Sequence, residues 1–405
     1  MHANEILLAG LMMTAICTLP ARAEDIPNWP NGYAVSGYLD CGAAERAEGE
    51  GGVCLRQVKG QACSFPGIEG GMGTAAVDAE VVRCEISGLD AREEYVFGFA
   101  WWDADDLGRV QSVYLGASAE SLTRVLPPSP AKAFHEDKPT WATALLPLRP
   151  EMRTQGAVTF EVRREAGPNA VLNGLWVLKK TDQALEKRLL IVTGDDYAGH
   201  RWRETGPELA EILREDPRLE VSITEIPAIL GSPLLMHYDA VLIHFKNYSE
   251  RLPLGREVWD GFRAFVDQGR GVVIAHFGCG AFQEWDEFVQ VAGRIWNPKF
   301  RAHDPYGPFD VRIVDHEHAI TQKMQDFSTS DELYTCLDGT PPIHILCEAT
   351  SKVDQKSYPM GFVLESATRR VFHCPLGHDQ NALQSEGARE LYRSAARWAV
   401  QLSAR

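Results

Sequence analysis

From about residue 188 onward, short apolar runs alternate with amphipathic stretches, and this alternation restricts the second half of the chain more than any other feature. KRLLIVTG, LEVSITEI, YDAVLIHFK and GVVIAHF have the length and apolar content of buried strands, while PELAEILRE, VWDGFRAFVDQG and FQEWDEFVQVAGR space their apolar residues as helices do. Strands alternating with helices make a parallel sheet covered on both faces, with right-handed crossovers. In such a sheet ligands bind beyond the carboxyl ends of the strands. Four histidines fall in that zone: His200 after LLIVTG, His276 closing GVVIAH, His303 in the loop after the next helix, and His378 after RRVFHC. Imidazole is the commonest metal ligand and the natural acid–base group near neutral pH. The four are therefore expected to converge on one polar pocket.

Residues 24–180 read differently. AEVVRCEISGL, EEYVFGFAWWD, RVQSVYLG, AVTFEVRRE and AVLNGLWVLKK are short alternating runs split by Gly, Asp and Pro, the pattern of a β-sandwich or jelly roll. Residues 181–187 form a polar connector, and residues 188–405 the α/β unit. Residues 1–23 read as an export signal. An apolar run over residues 6–19 precedes Ala21-Arg22-Ala23, an A-x-A-like cleavage site, although the first five residues carry no Lys or Arg. The run is short for a bilayer span. The expected location is thus the periplasm or the exterior, with no membrane span left after cleavage. The net charge of -16 argues against nucleic acid or an anionic membrane surface as partner. Nine cysteines are present. In an exported protein Cys54 and Cys63 are the first candidates for a bridge, and Cys336 could face Cys347 across a hairpin. Free buried thiols explain the second-half cysteines as well.

Several local patterns could carry chemistry. In TGDDYAGHRWRETGPELAEIL, Asp195, Asp196 and His200 fill the loop before a helix, with Thr205 and Glu208 as a capping box. Such a loop suits a polar ligand, but G-x-G-x-x-G is absent and no dinucleotide fingerprint exists. GVVIAHFGCG has the strand–turn–helix form of a nucleophile elbow, with His276 as the presented side chain. Cys279, three residues on, reads as a small packed residue before a reactive thiol. Asp331, Glu332 and Tyr334 of DELYTC offer carboxylates that could orient histidines. Asp379 reads first as the cap of the last helix and second as an acid–base group beside His378. His316 of DHEH reads as a surface residue. Of Trp101 and Trp102, alternation puts one in the core and leaves the other exposed at most. The Asp103-Ala104-Asp105-Asp106 turn could hold calcium, but a solvated turn is the simpler reading.

GDDYAGHRW, GVVIAHFG, DHEHAIT, DELYT and VFHCPLGHD, in that order across residues 188–402, resemble the ThuA-like (trehalose utilisation) family of the class I glutamine amidotransferase-like superfamily. The resemblance implies a flavodoxin-like open sheet, here preceded by an all-β sandwich of galactose-binding-like type. Active amidotransferases of that superfamily carry G-x-C-x-G at the elbow and a late His–Glu pair. Here His276 stands at the cysteine's position, and Gly377-His378-Asp379-Gln380 contains no H-x-E, so glutaminase chemistry is not expected. Phe277-Gly278-Cys279 also replaces the small residues expected after the elbow histidine.

The resemblance implies a role in disaccharide or keto-sugar metabolism. The resulting expectation is an exported enzyme acting on a small carbohydrate through a divalent metal such as zinc, held by His200, His276, His303 and His378. The metal would polarise a carbonyl or activate water. His276, Asp331, Glu332 and Asp379 are the catalytic candidates. Asp195, Asp196, Trp202 and Tyr334 are the substrate contacts. The competing readings are a non-catalytic carbohydrate-binding or assembly protein, in which the histidines are polar fill, and a thiol enzyme using Cys279.

Overall fold

The computed structural model describes residues 29–65, 73–132, 143–153, 156–195, 199–246, 254–282 and 284–403. The expected export segment and Asp196 lie outside these residues. Among the described residues no helix is long and apolar enough to cross a membrane.

The first half is built from antiparallel strand pairs in three sheets. One sheet orders Tyr33–Asp40, Gly174–Lys180, Tyr95–Ala100 and Thr143–Pro147 side by side, a second has six strands and a third has three. Period-two alternation is clean in Tyr95–Ala100. Phe97 and Phe99 enter the main core, while Val96 and Ala100 face a small outer cluster with Trp176 and Leu178. That outer face is covered by aromatic rings, with Tyr38 stacked on Trp176 at 4.7 Å and Trp29 at 5.3 Å. Trp101 and Trp102 lie just past the end of Tyr95–Ala100, where alternation no longer holds, and both enter the main core, so both are buried rather than only one. The Asp103 turn is not a calcium loop. The Asp103 carboxylate accepts the backbone N–H of Leu107, Gly108 and Arg109 at 3.1, 2.7 and 3.0 Å, and the buried Arg109 guanidinium supplies the positive charge.

The second half holds one nine-stranded sheet. Its order is Leu219–Thr224, Lys187–Val192, Ala240–Ile243, Gly271–Ala275, Arg369–Cys374, Ser357–Ser366, His344–Thr350, Gly307–Ile313, Phe327–Asp331. The first five strands run parallel, as the strand–helix alternation requires. The rest are antiparallel. Only two residues, Ala367 and Thr368, join Ser357–Ser366 to Arg369–Cys374, and a connection that short can only fold the strand back on itself.

Side chains of the parallel strands alternate between two cores. Leu189, Ile191, Leu242 and Val273 pack with the helices Trp202–Arg214 and Glu386–Ala399, whereas Leu190, Val192, Val241 and Ile274 pack with Arg256–Asp267. The C-terminal helical segment is broken in two. Ser385 caps a fresh start at Glu386 by accepting Ala388 N–H, which separates Glu386–Ala399 from the single turn Gln380–Leu383.

The two halves share a core. Val125 and Leu126 of the strand-rich half belong to the same apolar cluster as Ile229, Leu230 and Trp259 of the α/β half. The proposed cysteine bridges are absent. Cys54 stands opposite Ser87 in the six-stranded sheet and Cys63 opposite Ala75 in the three-stranded one, and all described cysteines are free. Cys347 lies opposite Gly361 inside the nine-stranded sheet, not opposite Cys336.

Asp216 joins the first and last helices of the α/β half. Its carboxylate accepts Arg218 Nη2 at 2.7 Å and Arg397 Nε at 3.1 Å. The Arg218 hydrogen bonds, partly offset by burial, bring its pKa down to about 2. A depressed carboxylate stabilises the fold above its unfolded value of about 3.9, and that stabilisation is lost as the pH falls through the folded value. Asp216→Asn should therefore cost about 1–3 kcal/mol at neutral pH. Urea titrations should show the gap to wild type closing as the pH falls from about 4 to about 2; a gap that stays constant would refute the ion-pair account.

Candidate functional site

The Gly271–Ala275 strand delivers its chain to His276, whose φ of 42° is left-handed for a non-glycine residue. A 3-10 turn over His276–Gly280 follows. It packs so closely that a Cβ on Gly278 would lie 2.4 Å from the Ile243 carbonyl oxygen. The His276 ring is fully buried, and its Nδ1 lies 2.5 Å from the Pro375 carbonyl. A carbonyl only accepts, so the ring proton sits on Nδ1 and Nε2 keeps its lone pair. The Tyr334 hydroxyl, 2.9 Å away, donates to that lone pair.

His378 is placed by Asp331. The fully buried Asp331 carboxylate accepts the backbone N–H of Gly377 at 2.6 Å, of His378 at 3.2 Å and of Glu332 at 2.7 Å. This pins the turn after Arg369–Cys374 against the end of Phe327–Asp331. Glu332 then lies among three imidazoles. Its Oε2 is 3.2 Å from His378 Nδ1 and 3.7 Å from His276 Nε2, and its Oε1 is 3.4 Å from His303 Nε2. His200 completes the group, stacked on Phe277 at 4.7 Å and edge-on to His276 and His378 at 5.1 and 5.2 Å. One donor atom from each of His200, His276, Glu332 and His378 lies within 4.8 Å of all the others.

Burial sets the protonation of this group. It pushes His200 down to about 3 and lowers His276 as well. Burial would raise Glu332, but the His276 and His378 imidazoles around it hold its carboxyl well below the usual range. Burial likewise opposes charge on His378, and Glu332 outweighs it, raising the imidazole. Burial raises Asp331 against the pull of His276 and the three N–H groups. Two neutral imidazoles, a third that must give up its proton and an ionised carboxylate make a donor set that divalent zinc and its neighbours take, and the residues fit such an ion.

The expected residues sort themselves on this geometry. His200, His276 and His378 come together as anticipated. His303 does not join the donor set, because its loop puts it on the other oxygen of Glu332 with Nδ1 on its neighbour's carbonyl, Asp304 O, at 2.7 Å. Glu332 takes the fourth place instead. Tyr334 is in the site. Asp379 accepts Ala382 N–H at 2.8 Å as the cap of Gln380–Leu383 and receives the Tyr306 hydroxyl at 3.2 Å. Trp202 is buried, with Lys132 Nζ 4.6 Å and the Arg203 guanidinium 4.1 Å from its ring, so no platform is open for stacking. Asp195 lines a cavity between the two halves. Thr205 is not an N-cap. The helix starts at Trp202, and Thr205 hydrogen-bonds backward to Arg201 O at 3.3 Å. Cys279 is fully buried.

His244 was missed, although it follows Ala240–Ile243 as the others follow their strands. Its Nδ1 meets Thr193 Oγ1 at 3.0 Å and its Nε2 meets Thr205 Oγ1 at 3.1 Å. Thr205 donates to Arg201 O, so it accepts from Nε2, and both ring nitrogens are satisfied. Burial brings its pKa down to about 3. It is a structural imidazole. Phe277 packs against both His200 and His244, which explains a large residue after the elbow.

A family model described as ThuA, trehalose utilisation, matches residues 188–399. The chain belongs to the ThuA family. A solved ThuA-like protein from Parabacteroides merdae is 23% identical, covering 53% of this chain and 90% of that one at a TM-score of 0.45. A ThuA-like protein from Bacteroides uniformis is 16% identical, covering 55% and 94% at 0.44. A glutamine amidotransferase from Thermotoga maritima is 12% identical, covering 53% and 99% at 0.37. No curated protein matches the chain. The α/β half of this ThuA-family protein has the glutamine amidotransferase-like fold.

Gly377 has φ 114°, and a Cβ there would lie 3.1 Å from Leu383 Cδ2. Gly377→Ala should therefore destabilise the protein by about 1–3 kcal/mol. It should also move the His378 ring resonances in NMR spectra; unchanged stability together with unchanged resonances would show that the turn is not held as described.

Proposed function

We propose that this ThuA-family protein is an exported, metal-dependent enzyme acting on a small carbohydrate, a disaccharide or keto-sugar. One observation carries the reading: three buried or half-buried imidazoles and one ionised carboxylate present donor atoms within 4.8 Å of one another at the carboxyl end of a parallel sheet. His200, His276, Glu332 and His378 would hold a divalent ion such as zinc. A bound ion of this kind polarises a carbonyl or lowers the pKa of water.

The surrounding residues have separate tasks. Asp331 holds the His378 turn, and the Pro375 carbonyl fixes the His276 tautomer. His303, on the second oxygen of Glu332, orients that carboxylate. Tyr334 places its hydroxyl oxygen 2.9 Å from His276 Nε2 and can serve as a proton donor to the cluster. Tyr306, 42% exposed and 5.7 Å from the His378 ring, stands at the mouth where a sugar would enter. An imidazole stands at the elbow where glutaminase chemistry would need a thiol, and Cys279 is buried.

Two measurements test this reading. Purified protein should take up about one zinc per chain, and His276→Ala should weaken that uptake at least ~100-fold in competition with a chromophoric chelator. No stoichiometric metal after reconstitution, with sugar binding intact in His276→Ala, would favour the non-catalytic carbohydrate-binding reading. N-terminal sequencing of protein recovered from the producing cell should begin at Glu24; an intact Met1 terminus would remove export from the proposal.

A further inference from the structure

The strand Tyr33–Asp40 lies at the edge of its four-stranded sheet, so ladder hydrogen bonds secure it on one side only, against Gly174–Lys180. A strand held in this way near a chain end is among the first parts of a fold to fray. Its position is nevertheless demanding. Just before it, Asn31 donates to Leu219 O at 2.9 Å and accepts Val221 N–H at 2.7 Å, both on the α/β half. Within it, a Cβ on Gly37 would lie 2.6 Å from Leu55 Cδ1 of the six-stranded sheet, so the two sheets press closely together here. Cys41 follows the strand directly, with its backbone N–H donating to Asn173 O at 2.9 Å.

The Cys41 side chain enters the main core, and there its thiol meets the Cys84 thiol within hydrogen-bond reach. Cys84 lies inside the six-stranded sheet, on Val81–Ser87, opposite Gln57 on one side and Phe160 on the other. Both cysteines are 0% exposed. The contact therefore joins two different sheets across their common core. The Cys84 thiol beside it and burial push Cys41 well above the ordinary thiol range, so the folded pair is unreactive. Cys347 and Cys374 offer a contrast. Ser357–Ser366 runs between their strands, which sets them about 9.5 Å apart, beyond the roughly 7 Å between Cα atoms that a disulfide allows.

We propose that Cys41 and Cys84 are the two halves of a structural disulfide that ties this edge strand to the sheet opposite. The bond forms by exchange with a small-molecule or protein disulfide. One thiolate of the pair attacks a sulfur of that oxidant, releasing a thiolate and leaving a mixed disulfide. The second thiolate of the pair then attacks the mixed disulfide at the cysteine sulfur and releases the other half. The two cysteines are oxidised, the oxidant is reduced to two thiols, and the two cysteine protons pass to the departing thiolates. Because both sulfurs are sealed in the core, the exchange belongs to the folding chain, before the two sheets close. The bond closes the loop of residues 42–83 and so restricts the unfolded chain. The pair shares no residue with the histidine–glutamate cluster. Export bears only on whether the cell supplies the oxidant, and refolding with an added disulfide removes that dependence.

The test refolds the reduced full chain from urea in a mixture of reduced and oxidised glutathione, blocks the remaining thiols with iodoacetamide and maps a non-reduced digest by mass spectrometry. Most of the protein should yield a peptide pair joining Cys41 to Cys84, two hydrogens lighter than the separate peptides, with Cys347 and Cys374 alkylated. The oxidised protein should melt at least about 5 °C above the same protein refolded with reductant. Cys84→Ala should melt alike in the two buffers. If Cys84→Ala does not fold, the digest and the two wild-type melting points decide the matter. Cys41 and Cys84 both alkylated, a preferred link from either one to Cys54 or Cys63, or equal melting of oxidised and reduced wild type would each overturn the proposal. None of these readouts depends on export, which N-terminal sequencing decides separately.

Discussion

A single buried carboxylate organises the site. Asp331 ends one strand of the nine-stranded sheet, and its two oxygens take the N–H groups of Gly377, His378 and Glu332. Those groups come from two connections that the sheet does not itself hold together, because Phe327–Asp331 is an edge strand and Arg369–Cys374 lies mid-sheet. A buried carboxylate is tolerable only when hydrogen-bonded, so the turn and the strand end are locked by the same requirement. Once they are locked, Glu332 on one and His378 on the other face each other at 3.2 Å without further help. Asp331 therefore positions the groups of the cluster.

The elbow supplies the other half of the arrangement. A left-handed backbone at His276 costs energy, and the dense packing of the turn behind it maintains the conformation. The ring is presented with its Nδ1 proton committed to Pro375 and its Nε2 turned toward Glu332 and Tyr334. The elbow thus presents a lone pair of nitrogen. Burial then keeps two of the imidazoles neutral, whereas Glu332 stays charged because the histidines around it make that favourable. Removing water and arranging neighbours has left His200, His276 and Glu332 in the protonation states a metal requires, while His378 would have to lose its proton.

How far the sequence revealed this depended on range. Period-two and period-3.6 patterns are local, and they identified the strand-rich half, the parallel strands and the helices. His200, His276 and His378 were legible for the same reason, since each follows a recognisable strand. The antiparallel half of the sheet was hidden in the two-residue link at Ala367-Thr368, which a run-by-run reading passes over. His303 sits in a loop whose path depends on distant partners, with Arg301 bonded to Asp354 and Asp304 to Ser351 and Lys352. No pattern of spacing foretells that path. Trp202 looked like a stacking surface because nothing in its vicinity announced that Lys132, seventy residues earlier, would lie over its ring. His244 carries the same signal as the true site histidines, and only the two threonines that satisfy it mark it as structural.

The junction between the halves argues against treating the strand-rich part as a loosely attached module. Beyond the shared apolar core, Lys180 meets Glu220 at 3.1 Å with side chains 5% and 1% exposed, and Arg188 and the Tyr33 hydroxyl meet Glu94 at 2.7 and 2.9 Å. Lys180, Tyr33 and Glu94 belong to the four-stranded sheet and its flanks, Glu220 and Arg188 to the nine-stranded one. Buried ion pairs gain little on formation, yet breaking one by removing a partner costs about 3–5 kcal/mol because a charge is stranded. Sliding or opening the halves would strand several at once and expose the common core. Lys132 reaches Trp202 across the same junction, and Trp202 stands two residues after His200. The strand-rich half is thus part of the framework that holds the histidine loop, and the geometry of the site is a property of both halves together.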